Sequence, residues 1–222
     1  MRLATWNCYS ELDWSEVEKL DADVATVQEC RPDTPGLVSK HKDWMCEYQP
    51  GKWGRGIAVL ARDPYRIEAR ESGEVFAVST IIAGPRTFRF VGFWAMTPED
   101  VGYTYGRQAR RVVEQLPADD YSSVIAGDFN AESNESHLAN IRRLSDRGLD
   151  SAYHRVHGAV AHGQEEEGTR FHEWNEAKPF HIDFVFAPKT WDIQKVTVGR
   201  FQDYCPSGLS DHVPVVVSFI DN

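Results

Sequence analysis

No stretch of this chain comes near the roughly 18 consecutive apolar residues that a membrane helix needs, which excludes a helical membrane protein and predicts no membrane partner. Residues Met1 to Asn7 lack the apolar core of a secretory signal, so a cytoplasmic location is the expectation. Cysteine is scarce. Cys8, Cys30, Cys46 and Cys205 show no CxxC spacing, which argues against a disulfide scaffold or a cysteine zinc site and for reduced, partly buried thiols. Positive charge is also short: 24 basic residues against 34 acidic give a net charge of −10. That excludes a broad basic face gripping long polyanions, although a bound divalent cation and a local arginine cluster can still make positive potential where it counts. Internal repeats, low-complexity linkers and a composition shift that would mark a domain boundary are missing as well.

What is present suits one domain, residues 1–222, with 41% apolar residues to fill a sizeable core. Short apolar runs at Arg2–Thr5, Val24–Val27, Ile57–Leu60, Val75–Ile82, Phe88–Trp94, Val124–Ala126, Phe180–Phe186, Trp191–Val198 and Val213–Phe219 read as strands, with Gly84-Pro85 turning one hairpin. Helical spacing appears at Asp13–Leu20, Gly106–Leu116 (closed by Pro117) and Ser136–Arg147 (stopped by Gly148). The His- and Glu-rich segment from His154 to Gly168 reads as a long exposed loop. Helices interspersed among more numerous strands make this an α/β layered domain.

Polar clusters stand at the ends of several buried strands: Trp6-Asn7, Gln28-Glu29, Gly127-Asp128-Phe129-Asn130 and Ser210-Asp211-His212, with Asp183 planted inside another. Burying acids in this way is costly unless something pairs with them, which points to a metal ion and an anionic substrate. A hard cation such as Mg²⁺ takes oxygen ligands and keeps several waters, so Glu29 and Asp211 suffice as carboxylates, with Asn7 an amide neighbour. Taken alone, Glu29 also reads as a surface residue after a strand and Asp211 as a turn residue. Asp128 and Asn130, two apart in an extended segment, face a common point and suit activating water and holding a phosphate oxygen. An ordinary Asx turn has the same composition. The Asp183 carboxylate, among Ile182, Phe184, Val185 and Phe186, finds its simplest partner in His212.

These residues, with the Gly56–Leu60 strand, resemble in order and spacing the signature series of the endonuclease/exonuclease/phosphatase superfamily, from Leu3 to Phe219. The resemblance implies a four-layer α/β/β/α sandwich of two mixed β-sheets flanked by helices, and phosphoester hydrolysis with Mg²⁺ or Mn²⁺. It implies Glu29 as metal ligand with Asn7 and Asp211 close by, Asp128 activating water, and Asn130 holding a phosphate oxygen. His212, oriented by Asp183, would stabilise the transition state or assist proton transfer. Two positions depart from the pattern. Trp94 stands where secreted deoxyribonucleases carry histidine and apurinic-site endonucleases tyrosine, and its single N–H cannot serve as a general acid. Metal-bound water, or Tyr103 or Tyr105 from the next loop, is then the candidate for leaving-group protonation. Tyr9 replaces an acid of the repair enzymes.

Other residues invite a role at the substrate: Lys52, Trp53 and Arg55 as a phosphate clamp with a stacking ring, Arg107, Arg110 and Arg111 along a groove, and Trp174 stacking on a base. A solvated loop explains the first group equally well, core packing the last, and a surface helix explains the three arginines better. His154, His157, His162 and His172 lack ligand spacing and read as loop residues, while His181 is a candidate to support Asp183. The expectation is a monomeric, metal-dependent nuclease or phosphodiesterase acting on nucleic acid or nucleotides. A phosphatase or phosphodiesterase for a small or lipid substrate (a phosphoinositide, sphingomyelin) and a non-catalytic binding module on the same fold are the rivals.

Overall fold

The computed structural model describes residues 1–10, 12–71, 73–118, 122–131, 135–158 and 160–220. Two six-stranded mixed sheets are packed face to face. The first runs β13 (Ile193–Val198), β14 (Val215–Phe219), β1 (Arg2–Asn7), β2 (Val24–Cys30), β4 (Gly56–Arg62), β3 (Trp44–Pro50). The second runs β5 (Arg66–Glu71), β6 (Ala77–Ala83), β7 (Phe88–Trp94), β8 (Ser123–Asp128), β12 (Asp183–Pro188), β9 (Leu149–Ser151). A two-stranded ribbon, β10 (Arg170–Phe171) with β11 (Pro179–Phe180), stands apart from both.

Period-two alternation decides what lies between the sheets. Leu3 belongs to the core shared with the second sheet, whereas Ala4 and Trp6 pack outward with Val17 and Leu20 of α1 (Trp14–Leu20). Ile57 and Val59 repeat that inward setting on β4, and Ala58 and Leu60 the outward one. The sheets approach closely at Gly92, where a Cβ would meet Thr26 Oγ1 at 2.4 Å. On the far side, Val112 and Val113 of α4 (Tyr105–Gln115) and Leu144 of α5 (Glu135–Asp146) cover the second sheet. Helix, sheet, sheet, helix is the layering the sequence resemblance implied. Asp13 starts α1 by accepting from the Glu16 N–H at 3.0 Å, as a helix N-cap does.

The structure departs from the sequence reading in several places. Strands β3 and β5 were not expected; both are edge strands carrying polar and charged residues on a side that faces water. The strand expected over Phe180–Phe186 is split, because Thr169 Oγ1 accepts the N–H groups of Ile182 and Asp183, each at 3.0 Å, and starts β12 only there. The strand expected from Val213 begins at Val215, and the one expected from Trp191 begins at Ile193. The His154–Gly168 loop begins inside a helix, α6 (Ala152–His157), capped by Ser151; Ala159 within that loop lies outside the described residues. All four cysteines are free, as expected, and burial pushes the Cys8 thiol up to about 12.

Gly127, just ahead of Asp128, has φ +155°, and a Cβ there would sit 1.8 Å from the Phe93 carbonyl oxygen on the neighbouring strand. Gly127→Ala is therefore expected to cost about 1–3 kcal/mol of stability, as backbone is forced apart. A urea titration checks this, and an unshifted midpoint would show the clash to be relieved.

Candidate active site

Strand register assembles the site. Trp94, Asp128 and Asp183 are cross-strand partners on β7, β8 and β12, so all three side chains stand on the same face at one end of the second sheet. That is the face carrying Gly92 against Thr26, hence the gap between the sheets. Asn7 ends β1 on the side of Leu3 and Thr5 and meets them from the opposite sheet.

Glu29 arrives by a different device. Alternation along β2 would turn it away from the gap, but the pairing with β4 slips between Gln28 and Cys30, and Glu29 takes a left-handed φ of 57°. This bulge re-aims the carboxylate into the cleft. Asn7 Nδ2 donates to Glu29 Oε1 at 3.0 Å and to Asp128 Oδ2 at 3.1 Å, while its Oδ1 accepts the Tyr9 N–H at 3.1 Å. Since carboxylates only accept, the amide presents its N–H₂ to them and its oxygen to the backbone. Asn7 thus holds two carboxylates together and keeps its own oxygen engaged elsewhere.

Asn130 does not share an extended segment with Asp128, as the spacing had implied. It sits in the left-handed region (φ 44°) in an Asx turn, its N–H donated to Asp128 Oδ1 at 2.8 Å. The turn still brings the pair together: Asn130 Nδ2 donates to the Ala95 carbonyl at 2.8 Å and, at 3.3 Å, to Asp128 Oδ2. Phe129 between them packs on Phe93, Phe184 and Phe186.

Ser210 fixes the last segment. Its Oγ donates to the Asn7 carbonyl at 2.6 Å and accepts the His212 N–H at 2.9 Å, and Trp6 Nε1 donates to the His212 carbonyl at 3.1 Å. His212 Nδ1 lies 2.9 Å from Asp183 Oδ2, and both side chains are fully enclosed. Its other nitrogen, Nε2, faces Asp128 Oδ2 at 4.0 Å and Asp211 Oδ1 at 3.9 Å, too far for direct bonds. Burial alone would favour a neutral ring, but the Asp183 carboxylate, its hydrogen bond and the nearby Asp128 outweigh that and take His212 up to about 9. Burial, reinforced by Asp183, lifts Asp128 to about 7 despite the opposing charge of His212.

Two guanidiniums neutralise the remaining acids: Arg55 is paired with Glu29, and Arg170 Nε reaches Asp211 Oδ2 at 3.3 Å. Glu29, Arg55, Trp94, Tyr105, Asp128, Asn130, Asp211 and His212 line a single cleft of about 240 Å³, together with Tyr9, Trp53, Asp100 and Arg170. Burial and Asp128 push the Tyr105 hydroxyl above its ordinary value, so it stays protonated. Tyr103, by contrast, packs on Phe76. Trp174 sits at the rim, its ring edge-on to Tyr9 at 5.2 Å. Arg107 lies over Tyr103, Arg110 pairs with Glu114 and Arg111 with Glu74, so these arginines are spent on the surface instead of the groove. Of the expected clamp, Trp53 and Arg55 reach the cleft and Lys52 is not among its described lining residues. Sequence reasoning gave no separate role to Arg170 or Tyr9 at the cleft; a lone arginine in a short ribbon has no spacing signal, and only the bridge from Arg170 to His212 reveals it.

The donor set suits a hard divalent cation. Glu29 and Asp211 offer carboxylate oxygens, and each already holds a positive group. Ligand atoms of Asp128, Asp183 and His212 also lie within 4.8 Å of one another, but the ring's Nδ1 is committed to Asp183.

The comparisons agree on the fold. The sequence profile of the Endonuclease/Exonuclease/phosphatase family matches residues 4–212. No curated protein sequence matches the chain. Among solved structures, D. rerio TDP2 complexed with single-strand DNA product is similar at a TM-score of 0.73 and 16% identity, covering 99% of this chain and 98% of that one. An endonuclease/exonuclease/phosphatase family protein from Leptotrichia buccalis gives 0.67 and 19%, covering 99% of both. A Bacteroides thetaiotaomicron mannosyl-6-phosphatase gives 0.67 and 14%, again with 99% of both covered. At such identities these likenesses speak to the fold alone, whereas the profile match runs through every polar strand end from Asn7 to His212: the chain belongs to the endonuclease/exonuclease/phosphatase family, a class of phosphoester hydrolases.

Proposed function

We propose that this cleft hydrolyses phosphodiester bonds of a nucleic acid or nucleotide, with Mg²⁺ or Mn²⁺ held by Glu29 and Asp211 and with Asn7 positioning Glu29. The carrying observation is the enclosed Asp183–His212 pair whose free Nε2 stands 4.0 Å from Asp128. Such a cation, when bound, offsets charge on the phosphoryl oxygens. Asp128, lifted to about 7, accepts the proton of the attacking water near neutral pH. His212, cationic below about 9, donates from Nε2 to a phosphoryl oxygen in the gap between Asp128 and Asp211. Asn130 holds a second oxygen by giving up its long contact to Asp128. As the bond from phosphorus to the leaving oxygen breaks, Tyr105, the cleft's protonated hydroxyl, supplies the proton that Trp94 cannot. Arg55 and Arg170 are in place for the substrate's other phosphate charges, with Tyr9 and Trp174 at the rim for an unstacked base. The TDP2 structure with its DNA product supports a nucleic-acid substrate for this shape of cleft.

One observation favours a second reading. Trp53 Nε1 donates to Asp100 at 3.1 Å, joining the loop ahead of β4 to the short helix Pro98–Val101 among the residues that line the cleft. With a net charge of −10, that fits a small phosphate ester, as the mannosyl-6-phosphatase likeness also suggests. A panel of single-stranded DNA, abasic duplex, RNA, a sugar phosphate, inositol phosphates and bis-p-nitrophenyl phosphate, with Mg²⁺ or Mn²⁺, decides. Turnover of the diesters is expected, and turnover confined to the sugar or inositol phosphates would establish the second reading.

A further inference from the structure

Histidines that sequence spacing leaves as loop residues converge on one point, on the other side of Phe184 from the cleft. His154, in α6, and His162 stack with ring centroids 3.6 Å apart. Glu165 Oε1 lies 3.2 Å from His154 Nε2 and 3.8 Å from His162 Nδ1, and ligand atoms of the three lie within 4.8 Å of one another. The Glu165 side chain is 3% exposed, and its Oε1 makes no hydrogen bond.

The surrounding hydrogen bonds turn ring nitrogens toward this point. His154 Nδ1 is bound to Ser151 Oγ at 2.8 Å, which orients Nε2 toward Glu165. His181 Nδ1 lies 2.7 Å from the Glu167 carbonyl, which can only accept, so Nδ1 carries the proton and Nε2 the lone pair. That Nε2 is buried without a hydrogen-bond partner. His181 and Glu165 line the same cavity of about 220 Å³, with His137 and Phe184. A ring nitrogen tied to an oxygen while the other faces inward is the usual setting of a metal-bound histidine.

The buried Glu165 carboxylate, whose Oε2 accepts the Gly163 N–H at 2.7 Å, needs a positive charge beside it, from one protonated ring or from a bound cation. Protonating both stacked rings would set like charges face to face, and leaving both neutral would leave that carboxylate without a counter-charge. A divalent ion accepting two imidazole nitrogens and one carboxylate oxygen removes both difficulties. Nitrogen donors with one oxygen select Zn²⁺ over Mg²⁺. A tetrahedral zinc site with ligands about 2.0–2.1 Å from the ion has edges of about 3.3–3.5 Å, close to the 3.2 and 3.8 Å seen here.

We propose that His154 Nε2, His162 Nδ1 and Glu165 Oε1 form a zinc site separate from the cleft, its fourth position taken by water or by His181 turning in from the adjoining cavity. With His181 bound, the site would pin the segment after α6 to the start of β12, two residues ahead of Asp183. It does not depend on the catalytic reading of the cleft.

The test uses the full chain, stripped with chelator and titrated with Co²⁺ and then Zn²⁺ in millimolar Mg²⁺. Expected are the visible absorption of tetrahedral Co²⁺ at about one equivalent, its displacement by Zn²⁺, and a Tm raised by roughly 5–10 °C at a hundredfold excess of Zn²⁺ over Kd. His162→Gln and Glu165→Gln should each weaken Co²⁺ binding by more than about 100-fold, while Asp211→Asn in the cleft leaves it unchanged. Absence of the absorption in the parent chain overturns the proposal without reference to any variant's folding. Equal affinity in His162→Gln and Glu165→Gln, or loss of the signal in Asp211→Asn, overturns it too.

Discussion

Asp128→Asn is expected to lower kcat by about 10²- to 10⁴-fold, the usual worth of a positioned general base, while abolishing the loss of stability that ionisation of Asp128 causes between about pH 4 and 8. The two effects share a cause. Asp128 is buried beside Asp183, and that setting lifts it from 3.8 to about 7. A carboxyl whose folded value is raised favours the fold in its protonated form. Its contribution is complete below about pH 4 and is lost as the pH climbs through about 7. At pH 8 the wild-type fold therefore carries a charge it would shed. Asparagine removes that charge and can still accept the Asn130 N–H that closes the turn, but its N–H₂ then meets the Asn7 and Asn130 amides that now donate to Oδ2, a cost that does not vary with pH. The stability of the variant relative to the parent should therefore fall as the pH drops toward 4, which thermal melts at several pH values would show. Steady-state turnover on the diester panel gives the other half. Unchanged kcat would remove Asp128 from the chemistry, and a stability difference that is the same at pH 4 and pH 8 would mean that its ionised form is not the strained one.

The same logic shows why some of the site was legible in the sequence and some was not. Asn7, Asp128 and Asp183 each follow or interrupt a run of apolar residues on a central strand, where both faces are covered and the pattern is unambiguous. Edge strands β3 and β5 face water on one side and offered little contrast between buried and exposed positions. Glu29 was identified as a strand-end acid, but the bulge that points it inward depends on pairing with β4, a long-range fact absent from local spacing. Asn130 was assigned to the right neighbourhood through the wrong backbone conformation. The His154–His162–Glu165 group escaped notice because its members come from a helix and a following turn, and the His181 of the adjoining cavity comes from next to β12. Ligand spacing in a sequence reports only sites built within one local element.

Asp183→Asn should separate charge from geometry at His212. The asparagine oxygen can still accept from Nδ1 at the 2.9 Å now seen, so ring position survives and only the counter-charge goes. Burial works against the imidazolium, and the Asp183 carboxylate is the largest influence holding it at about 9. A histidine raised in this way contributes stability that is complete below its unfolded value of about 6.5 and is lost as the pH rises through about 9. In the variant burial wins, and the ring becomes neutral near pH 8. The alkaline limb of kcat/KM, near 9 in the parent, should then move acidward by more than about one unit, with activity at pH 8 down about 10²-fold or more. His212→Ala added to Asp183→Asn should cost little beyond either change alone, since the two residues act as one group. If Asp183 merely braced the ring, asparagine would serve equally well and the alkaline limb would stay where it is. A shifted limb with intact folding is thus the result that only an electrostatic role for Asp183 produces.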